Sequence, residues 1–306
     1  MIDSDLAATQ SRPSGGSARR VGFGVLVSVF ILAHFFLTPL PFAVLGWFIE
    51  EEGIRSHRVH EICFGMAFVL SLAGLVMLLR RPDRKVAQMY QVAITLWLLA
   101  AAYIIVDRAF DPIVFTFVVI PALLIALHPG RSLLIHPPVE VRRLLAALAI
   151  AGAIPFLVFA IQQLRTGFEA SRIAPEALES VPDDASPQEV DRALREATGS
   201  REEFQVARHY GHWPAMGAFA LSIIALAGVA ALGIPGWGLS SWSSGLAAIG
   251  YGIVSLAFPD DASAALPVWA LLSIAWGAVF VVIGEIERRR AQGSDSSKEV
   301  FPEPAS

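Results

Sequence analysis

The residues best suited to chemistry in this sequence are histidines. His57 and His60 form one His-x-x-His pair, and His209 and His212 form a second. Side chains three positions apart share one face of a helix, so each pair presents two imidazoles together. Four imidazoles suit zinc, copper or iron, or the axial positions of one or two haems. Glu50, Glu51, Glu61, Glu202 and Glu203 could orient the rings as hydrogen-bond acceptors or bind metal themselves. Met66 and Met216 add soft donors, and His34 joins the set as a fifth imidazole on the same side of the predicted topology. His128 and His136 flank Pro129 and Pro137-Pro138 toward the other side and read as turn residues.

The same residues admit a plainer role. Histidine has an apolar body and a polar tip and sits comfortably at a membrane–water boundary. Two descendants of one duplicated segment would also share a harmless motif through ancestry. The zincin pattern His-Glu-x-x-His is absent, and the single Cys63 excludes a thiolate cluster or an intrachain disulfide. No Gly-rich phosphate loop and no nucleophile–base pair stands out, so no motif names a reaction.

The elements that must position these histidines follow from composition. Of 306 residues, 55% are hydrophobic and only 16% charged, where a soluble domain carries about 25% charged residues. Mean hydropathy is +0.59. The chain lacks the polar surface to cover itself in water, and the bilayer is its natural solvent. A formal net charge of −4 gives no footprint for nucleic acid.

Apolar stretches near the length that crosses ~30 Å of hydrocarbon recur along the chain. They lie at about 21–39, 60–79, 87–106, 112–128, 144–163, 213–233, 242–258 and 265–285, which predicts an all-α, polytopic membrane protein of about eight spans. Residues 1–20 are rich in Ser, Gly, Ala and Arg and predict disorder. Arg19-Arg20 precedes the first apolar run with no small-residue cleavage site after it, so that run reads as an uncleaved span. The stretch from Pro41 to Ile49 reads as a kinked or interfacial piece. The tail from Ala291 to Ser306 is polar and predicts disorder.

Arg19, Arg20, Arg80, Arg81, Arg84, Lys85, Arg131, Arg142, Arg143 and Arg288 to Arg290 all fall on one side of an eight-span arrangement. The positive-inside rule places that side, and both termini, in the cytoplasm of a plasma-membrane protein. The longest connection, 164–211, then lies outside. Within it Ser186-Pro187-Gln188-Glu189 has the form of a capping box that starts a short helix.

The stretches that open the second and sixth spans resemble each other. Glu50, Glu51, His57, His60 and Gly65 recur as Glu202, Glu203, His209, His212 and Gly217, each displaced by 152 positions. The reading is two parallel four-helix repeats, at 21–128 and 144–285, joined by a cytoplasmic linker at 129–143 and closed by a tail at 286–306. If the second and sixth spans meet, the two histidine pairs converge.

Three functional expectations follow. The first is a metal or haem site near the extracytoplasmic face, serving electron transfer, oxidase maturation or metal handling. The second is a transporter or channel whose outer vestibule senses pH through its histidines. The third is a non-catalytic scaffold whose external loop binds a membrane-protein partner, or a second copy of the chain. The lipid bilayer is a partner in all three.

Overall fold

The computed structural model describes residues 15–38, 40–48, 58–80, 82–106, 108, 112–179, 181–182, 185–186, 189, 192–193, 212–261 and 263–300. No strand occurs among them. Ten α-helices follow one another among the described residues: α1 (Gly15–Leu37), α2 (Phe42–Leu45), α3 (Arg58–Leu78), α4 (Val86–Val106), α5 (Pro112–Leu127), α6 (Arg131–Ile135), α7 (Arg143–Glu179), α8 (His212–Ala231), α9 (Trp237–Ala257) and α10 (Pro267–Val300). A 3-10 turn, Pro82–Arg84, links α3 to α4.

Six of these helices are long and apolar enough to cross a membrane: α1, α3, α4, α7, α8 and α10. The chain is therefore a multi-pass helical membrane protein. The remaining two predicted spans are also helices, each with a reason for falling short. α5 has 16 residues, about 24 Å of rise, against ~30 Å of hydrocarbon. α9 has 21 residues but carries Ser240, Ser241, Ser243, Ser244 and Ser255, which lower its hydropathy.

Burial separates the helices into inner and outer. The apolar windows of α3, α4 and α8 are 61%, 56% and 78% buried, whereas those of α1, α7 and α10 are 17%, 22% and 28% buried. The outer helices instead expose Val25, Leu32, Phe36, Ile150, Ile154, Leu271 and Leu272. Such apolar faces are stable only against lipid or another protein.

Hydrogen bonds between helix ends fix the directions. The Ala87 N–H donates to the Pro235 carbonyl at 3.0 Å, so α4 and α9 start side by side and run parallel. The Val59 N–H donates to Asp261 at 3.2 Å, so α3 starts where α9 has ended. The Arg142 N–H donates to the Ala231 carbonyl at 2.8 Å, which sets the start of α7 beside the end of α8. Ser171 donates to the Val106 carbonyl at 2.8 Å, setting α7 level with the far end of α4. Arg19 donates to the His128 carbonyl at 3.2 Å, pairing the start of α1 with the end of α5. The eight longer helices thus alternate between two ends. Arg19, Arg80, Arg84, Lys85, Arg131, Arg142 and Arg143 collect at one of them, the basic end.

The structure departs from the sequence reading at three termini. α1 already begins at Gly15, inside the stretch 1–20 for which composition predicts disorder; residues 1–14 lie outside the described residues. α7 runs on to Glu179, so the first part of the segment 164–211 is helix rather than connecting loop. α10 continues to Val300, past Ala291 where the polar tail begins. In each case a helix held by packing over its apolar part propagates into a polar stretch, since each added residue adds a backbone bond without a new nucleation cost. Of the capping box, Ser186 and Glu189 are described, and the Ser186 N–H and hydroxyl both reach the Glu189 carboxylate, at 2.8 and 2.9 Å.

α9 and α10 approach through a glycine seam. A Cβ on Gly245 would lie 2.7 Å from the Gly277 carbonyl oxygen, one on Gly277 would collide with the Gly245 carbonyl, and Gly252 faces the Ala270 carbonyl in the same way. Small residues let membrane helices bring their backbones together. Gly228 of α8, by contrast, faces open space. Gly277→Ala is therefore expected to lower unfolding stability by about 1–3 kcal/mol. Gly228→Ala should leave stability unchanged or raise it by up to about 1 kcal/mol. Denaturant unfolding of the detergent-solubilised protein distinguishes the two, and equal effects would discount the seam.

Candidate functional site

Of the five sequence-selected histidines, His57 and His209 lie outside the described residues, as does the side chain of His212, whose backbone opens α8. His60 and His34 are described. α3 and α8 pack against each other. Both run antiparallel to α9, so they are parallel to one another and present their N-terminal ends at the same, non-basic end. The structure therefore brings together the helices that begin with His60 in the first turn of one and His212 at the start of the other.

His60 is wholly buried in the first turn of α3, and its ring stacks on Phe64 one turn further at 5.4 Å between centroids. Phe64 meets Phe68 at 5.2 Å, and Phe68 meets His34 at 6.0 Å. A ladder of rings spaced by four residues on α3 thus ends on the imidazole of α1. His34 is held at both ring nitrogens. Nδ1 donates to the Phe30 carbonyl at 3.0 Å, and Nε2 lies 2.8 Å from the Ser71 hydroxyl, which also reaches the Phe68 carbonyl at 3.0 Å. Both ring nitrogens of His34 are thus engaged, and its role here is to join α1 to α3. Among the described residues no three His, Cys, Asp or Glu side chains are grouped as metal ligands would be.

The start of α3 is fixed from across the bundle. The Asp261 carboxylate accepts the Val59 N–H, and the Arg58 guanidinium lies over the Phe258 ring at 5.0 Å. A carboxylate at this position caps a helix whose first N–H groups have no partner of their own. Glu61 is almost fully buried in the same turn. Burial pushes the Asp261 carboxyl above the ordinary carboxylate range, against the opposing effect of the Val59 and Arg58 N–H groups and the Arg58 charge.

A second polar cluster, which the sequence reading passed over, lies near the basic end where α4 meets α9. Gln91 is completely buried. Its Nε2 donates to the Leu70 carbonyl of α3 at 2.7 Å and to Ser243 of α9 at 2.9 Å, and its Oε1 accepts from Ser240 at 3.3 Å. Ser244 donates to the Ile223 carbonyl of α8 at 2.8 Å. One amide thus ties α3, α4 and α9 together, and a neighbouring hydroxyl adds α8. The signal was available in the sequence as two glutamines and four clustered serines inside apolar runs. Periodicity does not reveal that they face one another.

Gln91 and Ser243 are 152 positions apart. The same displacement carries the starts of α3, α4 and α5 to within three residues of the starts of α8, α9 and α10.

Searches against protein-family models, curated proteins and solved structures give no match to this chain.

Two expectations follow. In a double-mutant cycle, Gln91→Leu and Ser243→Ala should couple by about 0.6–1.7 kcal/mol, the range of hydrogen bonds between membrane helices; additive effects would mean that the bond contributes nothing. The second concerns pH. A carboxyl whose pKa rises on folding stabilises the fold fully below its unfolded-state value, and that contribution is lost as pH rises through the folded value. Asp261→Asn keeps an acceptor for the Val59 N–H and removes the titration. Its thermal unfolding should vary less than that of the wild type between about pH 4 and about pH 7, and an unaltered profile would rule the effect out.

Proposed function

We propose that this chain is an eight-span plasma-membrane protein made of two four-helix units in the same orientation, with both termini in the cytoplasm. Its non-basic, extracytoplasmic end binds a metal ion or a haem through His57, His60, His209 and His212. The observation that carries the reading is the parallel packing of α3 and α8, which brings the first turn of α3, with the buried His60, and the start of α8 at His212 to the same end of the bundle.

Three further facts support it. The basic residues gather at the end opposite the histidines, as the positive-inside rule requires of a cytoplasmic face. The Asp261 cap fixes the first turn of α3, and rigid helix ends are what a ligand set needs if its imidazoles are to keep their geometry. Full burial of His60 shields its ring from bulk water at the start of α3. His34 stands one ring ladder away and acts as a packing and hydrogen-bonding residue rather than a ligand. Electron transfer, oxidase maturation and metal handling are the activities that such a site serves.

The test is direct. The full-length protein, extracted from membranes in mild detergent, should carry stoichiometric zinc, copper or iron by elemental analysis, or a haem absorption band. His60→Ala combined with His212→Ala should abolish it while the helical circular-dichroism spectrum is retained. His34→Ala should lower stability and leave the bound group in place. A folded, colourless and metal-free wild-type preparation would sink the proposal.

A further inference from the structure

A cleft of about 930 Å³ opens at the basic end, between the first turns of α4 and α9 and the stretch of α10 that runs past them. It lies at the opposite end of the bundle from the histidines and is independent of the reading made for them. Lys85, Arg288 and Arg289 line it against a single carboxylate, Glu285, an excess of two positive charges. Glu285 is already held by Arg288 through two bonds of 2.8 Å and by Arg289 through a third. Lys85 takes part in none of the ion pairs among the described residues.

The floor of the cleft is Gln88, which is only 1% exposed. Its Nε2 donates to the Gly236 carbonyl at 2.8 Å, which fixes the orientation of the amide. Its Oε1 is buried and has no donor among the described residues. A buried acceptor without a partner carries a full desolvation penalty, so this atom calls for a donor from outside the chain. Beside it, α9 starts at Gly236 without a side-chain cap; the Trp237 and Leu239 N–H groups bond to the Ile234 and Gly236 carbonyls, and the positive end of the helix dipole lies at the same place. The remaining wall is apolar. Trp242, Val282 and Ile286 are all exposed and lead from the cleft to the lipid-facing surface.

We infer that this cleft binds the headgroup of an anionic glycerophospholipid that carries a free hydroxyl, as phosphatidylglycerol does. The phosphate takes the charge of Lys85, Arg288 and Arg289 and the N-terminus of α9, and the headgroup hydroxyl donates to Gln88 Oε1. An acyl chain follows Trp242, Val282 and Ile286 into the bilayer. Basic clefts between spanning helices are suited to such headgroups, and three features specify this one. The excess charge favours an anionic over a zwitterionic lipid. The unpaired acceptor favours a headgroup with a donor over bare phosphate. The apolar exit favours a lipid over a soluble anion.

The test uses the full-length chain in mild detergent, with retention read by native mass spectrometry. The probes are phosphatidylglycerol, phosphatidylethanolamine, phosphatidic acid and inorganic phosphate. Phosphatidylglycerol should be retained in preference to the other lipids, and inorganic phosphate should not displace it. Lys85→Gln should weaken its binding by about five-fold, the effect of one basic side chain near an anionic headgroup. Gln88→Leu should erase the preference for phosphatidylglycerol over phosphatidic acid while both still bind. Arg289→Gln, at an exposed position, supplies a second charge variant if Lys85→Gln does not fold. Equal retention of phosphatidylethanolamine, displacement by inorganic phosphate, or wild-type binding by every folded charge variant would overturn the assignment.

Discussion

The structure depends on the rule that a polar group taken out of water must find a partner within the protein. In the apolar interior the cost of leaving one unmade is several times the net gain of making it. Gln91 meets that rule by bonding to α3 and to two serines of α9 at once. Because its donors and acceptor can be satisfied together in few arrangements, the amide fixes the relative depth of helices that apolar packing alone would let slide. Thr95 returns its hydroxyl to the Gln91 carbonyl one turn back, and Ser273 donates to the Ala248 carbonyl across the glycine seam. Directional polar contacts therefore set the register, while small residues set the distance.

The helices around α3 and those around α8 meet these constraints differently. In the first, aromatic rings fill the space: Phe64, Phe68 and Phe117 pack in sequence, with His60 and His34 at the ends of the ladder. In the second, Met216 and Ala220 occupy the positions displaced by 152 from Phe64 and Phe68. There α7 comes close enough that a Cβ on Gly217 would lie 2.7 Å from Leu164. On a duplication reading, one copy kept room for rings and the other closed it with small residues. The first helix of each unit diverges too. α1 stops at Leu37 before Pro39 and Pro41 and gives way to the short α2, whereas α7 is uninterrupted for 37 residues. Prolines at 39 and 41 remove N–H donors and end the helix there.

Most of the helical framework was legible in the sequence because an apolar run of about 20 residues has few alternatives to a buried helix. All eight runs are helices, and the turns between them fall at Pro82, Pro112, Gly233 and Pro267 as proline and glycine dictate. The ends were less legible. Helix boundaries at α7 and α10 are set by what the helix packs against rather than by local composition. The candidate site was legible only as a list. Spacing singled out His34 as a fifth imidazole, but its partner is Ser71, 37 residues away, and no sequence pattern joins the two. Gln88 and Gln91 were visible as polar letters in an apolar stretch. The meaning of Gln91 came from the serines opposite, and that of Gln88 from the Gly236 carbonyl, both about 150 positions later.

The two ends of the bundle differ in chemistry for a common reason. At the basic end the helix starts of α4 and α9 lie together and add their positive dipole ends to the surrounding lysine and arginines, so an anion is the natural guest. At the other end α3 and α8 begin, and the dipole of α3 meets carboxylates instead: Asp261 caps it, and Glu61 lies in its first turn. The starts of α4 and α9 share one end and those of α3 and α8 the other, as the directions of these helices require. Each face then acquires its charge from the residues that neutralise or reinforce those helix ends. At the non-basic end α3 meets a carboxylate supplied by the chain itself. At the basic end the starts of α4 and α9 add to an excess of positive side chains, and on the lipid reading the neutralising group comes from the membrane.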